Sequence, residues 1–242
     1  MGGSILDQVP LFFSYYNSLF LAQAFIATLS LSAAGCLTGF AFGSALAIVR
    51  NPHIVDLWPA RVGAITFTET FRRIPFLVKL MVVFFAFELA GLKVSMFTVA
   101  ASTVALAAAA FSAEIFRAGL ESLHRNQWDA AESMNMSGFA SLWLWALPQS
   151  WKVILPPSLS FTVGLIKSTS IASQIAVFEL TYAAKVLDQK GFSAVLTFGT
   201  ILILYFIICY PLNLFAHWLE ARLGGRRGRA IDRQLLAESS AG

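Results

Sequence analysis

LFLAQAFIATLSLSAAGCLTGFAFGSALAIV, residues 19–49, carries no charged side chain from end to end, and Arg50, Asn51 and Pro52 close it. About 20 mostly apolar residues in helix cross ~30 Å of hydrocarbon. The stretch is therefore a membrane span with length to spare, taken up by tilt or by projection beyond the bilayer. Gly35, Gly39 and Gly43 fall four residues apart along it. Such a small-residue stripe lets a second helix approach closely, and a partner within the same chain is expected. Composition agrees: 57% of the residues are hydrophobic and 12% are charged, about half the charge of a soluble domain.

Working outward, the N-terminal side begins MGGSILDQVP, without a basic residue. It lacks the basic n-region of a secretory signal, so no cleaved leader is expected. Phe12, Phe13, Tyr15 and Tyr16 read as an interfacial aromatic belt. On the C-terminal side, residues 58–89 are apolar but interrupted by Arg61, Glu69, Arg72, Arg73, Pro75, Lys79 and Glu88. A helix bent at Pro75, with its charges facing a cavity or a bundle end, is predicted there.

Residues 94–116 are alanine-rich, as in a helix enclosed by others, and Glu114 and Arg117 are spaced to pair on one face. Residues 118–152 are too polar to span. The fourth apolar block starts near Val153, contains Pro156, Pro157 and Lys167, and reaches Phe178. Residues 192–218 form the last, followed by a basic tail.

Five spans put the termini on opposite sides. If the C-terminus is cytoplasmic, that side holds Arg50, Arg61, Arg117, Arg125, Lys152, Arg222, Arg226, Arg227, Arg229 and Arg233, against Lys93, Lys185 and Lys190 outside. The excess of positive charge predicts the N-terminus out and the C-terminus in. The expected organisation is an N-terminal periplasmic segment (1–18), a transmembrane domain (19–220) with a cytoplasmic loop (118–152), and a basic cytoplasmic tail (221–242). The tail serves as a topology anchor, and no nucleic-acid binding is expected. Cys36 and Cys209 read as buried thiols. His53, His124 and His217 lack ligand spacing, so no metal is predicted.

Within the polar loop, Trp128, Ala131 and Met134 recur every three residues and predict a short amphipathic helix. Asn135 is suited to the left-handed turn that ends it. Phe139 to Leu147 predicts a second short helix, stopped by Pro148. Two short helices at an angle would form a knob.

The same loop resembles the Glu-Ala-Ala motif of ABC importer permeases. Asp129, Ala130 and Ala131 take the Glu-Ala-Ala positions, Asn135 the glycine, Trp145 the isoleucine, and Leu147 and Pro148 the Leu-Pro. Within that superfamily the chain is most similar to permeases for polar amino acids and opines. Their Ala-Glu-x-x-Arg-Gly-Gly is matched by residues 113–119, their Lys-Asp-Thr-Ser-Leu by residues 167–171, and their Phe-Arg-Gly-Thr-Pro by residues 71–75. Asp129 shortens the usual glutamate, and Asn126 and Asn135 stand where glycines are usual. Asparagine tolerates positive φ, so both turns are expected to survive.

The resemblance implies an all-α integral membrane protein of type I ABC importer permease architecture, in the bacterial inner membrane. It implies a pore that moves a polar amino acid or opine inward, with a second permease subunit, a cytoplasmic ATPase dimer that binds ATP and magnesium, and a periplasmic substrate-binding protein. Asp129, Ala130, Ala131, Met134, Asn135, Leu147 and Pro148 become the expected ATPase-coupling residues, with the small Ala130 and Ala131 permitting close approach. This chain has no Gly-x-x-x-x-Gly-Lys-Ser/Thr run, so no catalysis and no cofactor are expected on it.

A charge at mid-span costs about 2.5–3.5 kcal/mol on insertion scales. Lys167 is therefore expected in a polar cavity beside Thr169, Ser170 and Gln174, or paired with Glu69 or Glu179. Glu69, Arg72 and Arg73 are candidate pathway residues on the same reasoning. An ion-coupled secondary transporter is the rival class, since it also uses intramembrane charges and broken helices. Many of those folds carry an internal repeat, which five spans with one oversized loop do not show. A non-transporting scaffold leaves Lys167 and the charged bend unexplained.

Overall fold

A computed structural model describes residues 5–224, and all its regular elements are helical. They are α1 (Ile5–Phe12), α2 (Tyr15–Arg50), α3 (Trp58–Arg73), α4 (Phe76–Leu89), α5 (Met96–Glu121) and α6 (Arg125–Ser133). After these come α7 (Gly138–Ser141), a π segment (Leu142–Ala146) and α8 (Leu147–Ser168). A 3₁₀ segment (Thr169–Ile175), α9 (Leu180–Gln189) and α10 (Ala194–Gly224) complete the order. Most of the expected basic tail, including Arg226, Arg227, Arg229 and Arg233, lies outside the described residues.

Among the described residues, α2, α5 and α10 are each long and apolar enough to cross a membrane, and the bent run from Gly138 to Gln189 makes a fourth. The fifth expected span does not qualify by composition, because α3 carries Arg61, Glu69, Arg72 and Arg73. Chain direction supplies it instead. Gly35, Gly39 and Gly43 of α2 meet Val104, Ala108 and Ser112 of α5 in ascending order, so these helices run parallel. The chain between them must return, and α3 and α4 make that return antiparallel to α5. Together they rise about 45 Å at 1.5 Å per residue.

The glycine stripe behaves as expected. A Cβ at Gly39 would overlap Ala108 and the Ala105 carbonyl, and one at Gly43 would overlap Ser112 and the Ala109 carbonyl. The Ser112 hydroxyl donates to Gly39 O at 3.4 Å, which the close approach permits. Ala107 to Ala110 and Ala113 are fully enclosed, and α5 is the axis on which α2, α3, α4 and α8 pack. Gly39→Leu should force α2 off α5 and destabilise the fold by about 1–3 kcal/mol, the usual range for overpacking. A lower midpoint of thermal unfolding in detergent checks this, with Gly164→Leu, in open space, as the control.

At both broken helices, side chains take up backbone groups that the break frees. Pro75 has no N–H to give to Phe71 O, four residues back, so the helix opens there as expected. The Lys79 ammonium, 4% exposed, fills that vacancy by donating to Phe71 O at 3.1 Å. At the second break, Glu179 accepts from the N–H groups of Thr181 (2.9 Å) and Tyr182 (2.7 Å), and Thr28 of α2 accepts from Leu180 N (3.1 Å). Tyr205 of α10 donates to Glu179 at 2.8 Å. Away from water, such groups must be satisfied internally.

Two expectations about residues 118–152 are corrected. Pro148 does not stop a helix, because the chain is helical without interruption from Gly138 to Ser168. The ladder widens to π over Leu142–Ala146, with Leu147 N bonded to Leu142 O, and this relieves the turn that the Pro148 ring would crowd. The loop therefore contracts to α6 and its flanking turns, and the fourth pass begins well before Val153. Asn126 lies inside α6, so it needs no positive φ. Asn135, at φ 57°, does adopt the left-handed turn.

Candidate functional site

The knob is α6 with its two turns, standing on the end of the bundle where α2 and α5 finish. His124 caps its N-terminus, its Nδ1 accepting from Asn126 N at 3.4 Å. Met136 N returns to Ala131 O, and the left-handed Asn135 closes the C-terminus. Trp128 is the root: its ring stacks on His53 at 5.1 Å and meets Trp145 edge-on at 4.8 Å. Leu120, Leu142 and Ala146 complete that apolar cluster, with Leu147 packed against it. Gly138 lies directly against the His53 carbonyl, where no Cβ would fit. Three segments distant in sequence thus hold one short helix.

The expected coupling residues divide across this helix. Asp129, Ala130, Met134, Asn135 and Pro148 are exposed, and Met134 is 74% exposed. Ala131, 5% exposed, turns inward beside Trp128, and Leu147 is half-buried. The periodicity expected through Trp128, Ala131 and Met134 therefore breaks at Met134. Ala130, not Ala131, is the small residue on the open side.

Beneath the knob lies a charged hub. Glu114 of α5 pairs with Arg50 of α2 at 3.2 Å, with Arg72 of α3 at 3.4 Å and with Arg117. Arg117 also pairs with Glu121, and Glu69 holds Arg73 at 2.9 Å and Arg72 at 3.5 Å. The sequence pointed to Glu114 with Arg117 but not to Arg50 or Arg72. The surplus of arginines around one glutamate was the available signal. The hub joins the ends of α2, α3 and α5, so it ties the knob's footing to the bend at Pro75.

The candidate pathway residues are not brought together. Glu69, Arg72 and Arg73 belong to the hub on α3. Lys167 lies exposed on a groove of about 550 Å³ between α8 and α10, lined also by Ser160, Tyr205, Tyr210 and Asn213. It pairs with neither Glu69 nor Glu179, whose carboxylates are taken by the arginines and by the α9 cap. Thr169 is buried and donates to Ile166 O, Ser170 donates to Lys167 O, and Gln174 is exposed.

Helices that pass back and forth across a membrane, two of them broken and charged at the breaks, with a docking knob at one end, define a transport permease. Residues 39–225 match the family described as the binding-protein-dependent transport system inner membrane component, and the chain belongs to that family, the permeases of ABC importers. It is 31% identical over 196 residues to the probable amino-acid ABC transporter permease YckA of Bacillus subtilis (strain 168), covering 81% of this chain and 85% of the relative. It is also 31% identical to the L-cystine permease TcyB of that organism (77% and 81% covered), and 29% identical to its probable glutamine permease GlnP (87% and 96%). The fold is shared with the crystal structure of an amino acid ABC transporter with histidines, at a TM-score of 0.78 and 24% identity, covering 92% of this chain and all of that one.

Proposed function

We propose that this chain is the pore subunit of a bacterial importer that carries a polar amino acid or opine from periplasm to cytoplasm by alternating access. Its arginine-rich end and C-terminus face the cytoplasm. A second permease subunit, identical or paralogous, completes the pore. A separate ATPase dimer, holding ATP and magnesium, drives it, and a periplasmic binding protein delivers the substrate. Support for the amino-acid class comes from the relatives, each of which carries such a substrate in its name.

The observation that carries the mechanism is the exposed ridge of α6. Asp129, Ala130 and Met134 form an exposed strip, one acidic, one small and one apolar side chain, on a helix rooted by Trp128 in α2, α5 and the fourth pass. A cleft in the ATPase that grips this strip transmits its closure to the hub, and the helices rock as bodies about their breaks. Mild-detergent purification from the native membrane, with mass spectrometry of what co-elutes, tests the assignment. An ABC-type ATPase is expected in the complex. A chain that purifies alone and transports on an ion gradient would instead be a secondary transporter.

Lys167 supplies a fixed positive charge to the groove between α8 and α10, suited to a substrate carboxylate. A hydrogen bond to a charged group contributes about 1.5–3 kcal/mol, so Lys167→Met should weaken substrate affinity about tenfold or more while the complex still assembles. Unchanged affinity and transport rate in the variant would remove Lys167 from the pathway.

A further inference from the structure

A cavity of about 270 Å³ opens where the ends of α2 and α5 meet the start of α6. Arg50, Arg117, Arg125, His53, Glu121 and Trp128 are among its walls. The Arg50 side chain is nine-tenths buried, spends one Nη on Glu114, and leaves its buried Nε without a partner. Arg125 makes no ion pair among the described residues, and Arg117 is held in place by Glu114 and Glu121. At the cavity, Arg50, Arg117 and Arg125 stand against Glu121 in the wall and Glu114 behind it. One positive charge remains uncompensated there, and Arg125 is the arginine left without a carboxylate partner among the described residues.

Buried guanidinium groups retain unpaired N–H donors at a cost unless an anion accepts from them. The planar fork of arginine favours tetrahedral oxyanions with several acceptor oxygens. We propose that this cavity binds a phosphate group, held by Arg50, Arg117 and Arg125 beneath the coupling helix. Basic pockets between helices near a membrane surface take lipid headgroups in this way, and a soluble phosphate offers the same oxygens. Because α6 forms one wall, an occupied cavity fixes the angle at which the knob leaves the bundle. This site regulates coupling and is separate from the transport groove at Lys167.

The test uses the full chain in phosphatidylcholine nanodiscs, with the midpoint of thermal unfolding as readout. One series raises sodium phosphate against sodium chloride of matched ionic strength. The other replaces part of the lipid with phosphatidylglycerol and omits phosphate. Phosphate stabilises folded proteins generally by exclusion from their surface, so only the difference between wild type and variant counts. A saturable rise in at least one series is expected, with apparent affinity falling about tenfold or more in Arg125→Gln and in Arg50→Lys. Arg125 is exposed at the start of α6, so its replacement leaves the fold intact even where that of Arg50 does not. A response to phosphatidylglycerol alone identifies a lipid headgroup as the ligand, and a response to inorganic phosphate a soluble one. No difference between wild type and Arg125→Gln in either series overturns the proposal.

Discussion

Ala130→Arg is expected to lower the substrate-stimulated ATP hydrolysis of the assembled transporter by at least about tenfold, without changing membrane insertion or the thermal stability of the permease. Ala130 is exposed on the ridge of α6 and touches nothing that roots the helix. An arginine there has room in the isolated subunit, so folding is unaffected. In the proposed complex it would enter the ATPase cleft around α6, where a long side chain would displace the partner and its charge would be buried unpaired. Breaking complementarity in this way costs several kcal/mol, and each 1.4 kcal/mol is a tenfold loss of affinity. Ala131→Arg is the informative contrast. Ala131 is enclosed beside Trp128, so that substitution should unseat the knob itself and lower the unfolding midpoint. Comparing the two separates loss of docking from loss of structure. Wild-type stimulation in Ala130→Arg would mean that α6 is not the coupling element.

The contrast also marks what the sequence can and cannot convey. The passes, the bend at Pro75, the tight stripe of Gly35, Gly39 and Gly43, and the left-handed Asn135 were all legible, because each follows from a local rule of hydropathy, proline geometry, side-chain size or backbone sterics. What escaped depends on register between distant segments. The inward turn of Ala131 is set by Trp128 wedging between His53 and Trp145, three residues that no local period connects. Pro148 misled because a helix can accept proline by loosening to π one turn earlier, which costs little in a helix already anchored at Leu142 and Ala146. The pathway residues were grouped by charge alone. The fold divides them, since α3 meets α5 at the hub while α8 meets α10 at the groove. Lys79 shows the same limit: an interrupting charge in the sequence, it replaces the one donor that Pro75 lacks.

Glu114→Gln should be among the most destabilising conservative changes in the chain. The substitution keeps the shape of the side chain and removes the negative charge shared by Arg50, Arg72 and Arg117. Arg72 retains Glu69, and Arg117 retains Glu121. Arg50 retains no carboxylate, and its side chain is only 9% exposed. Removing one partner of a buried pair typically costs about 3–5 kcal/mol, because the surviving charge is left uncompensated. Since Glu114 is itself 24% exposed, the lower end, about 3 kcal/mol, is expected. If the loss arises from the stranded guanidinium, removing that charge as well should recover part of it. Glu114→Gln combined with Arg50→Gln should then be less destabilised than the two single effects summed, a coupling of about 1 kcal/mol or more in a double-mutant cycle. Additive effects would show that Arg50 finds its stabilisation elsewhere. The same cycle bears on the cavity, since a lost glutamate leaves the arginine cluster more positive and should tighten its hold on phosphate. A hub that weakens the fold when neutralised yet strengthens anion binding is one in which Glu114 serves as a built-in competitor for the arginines.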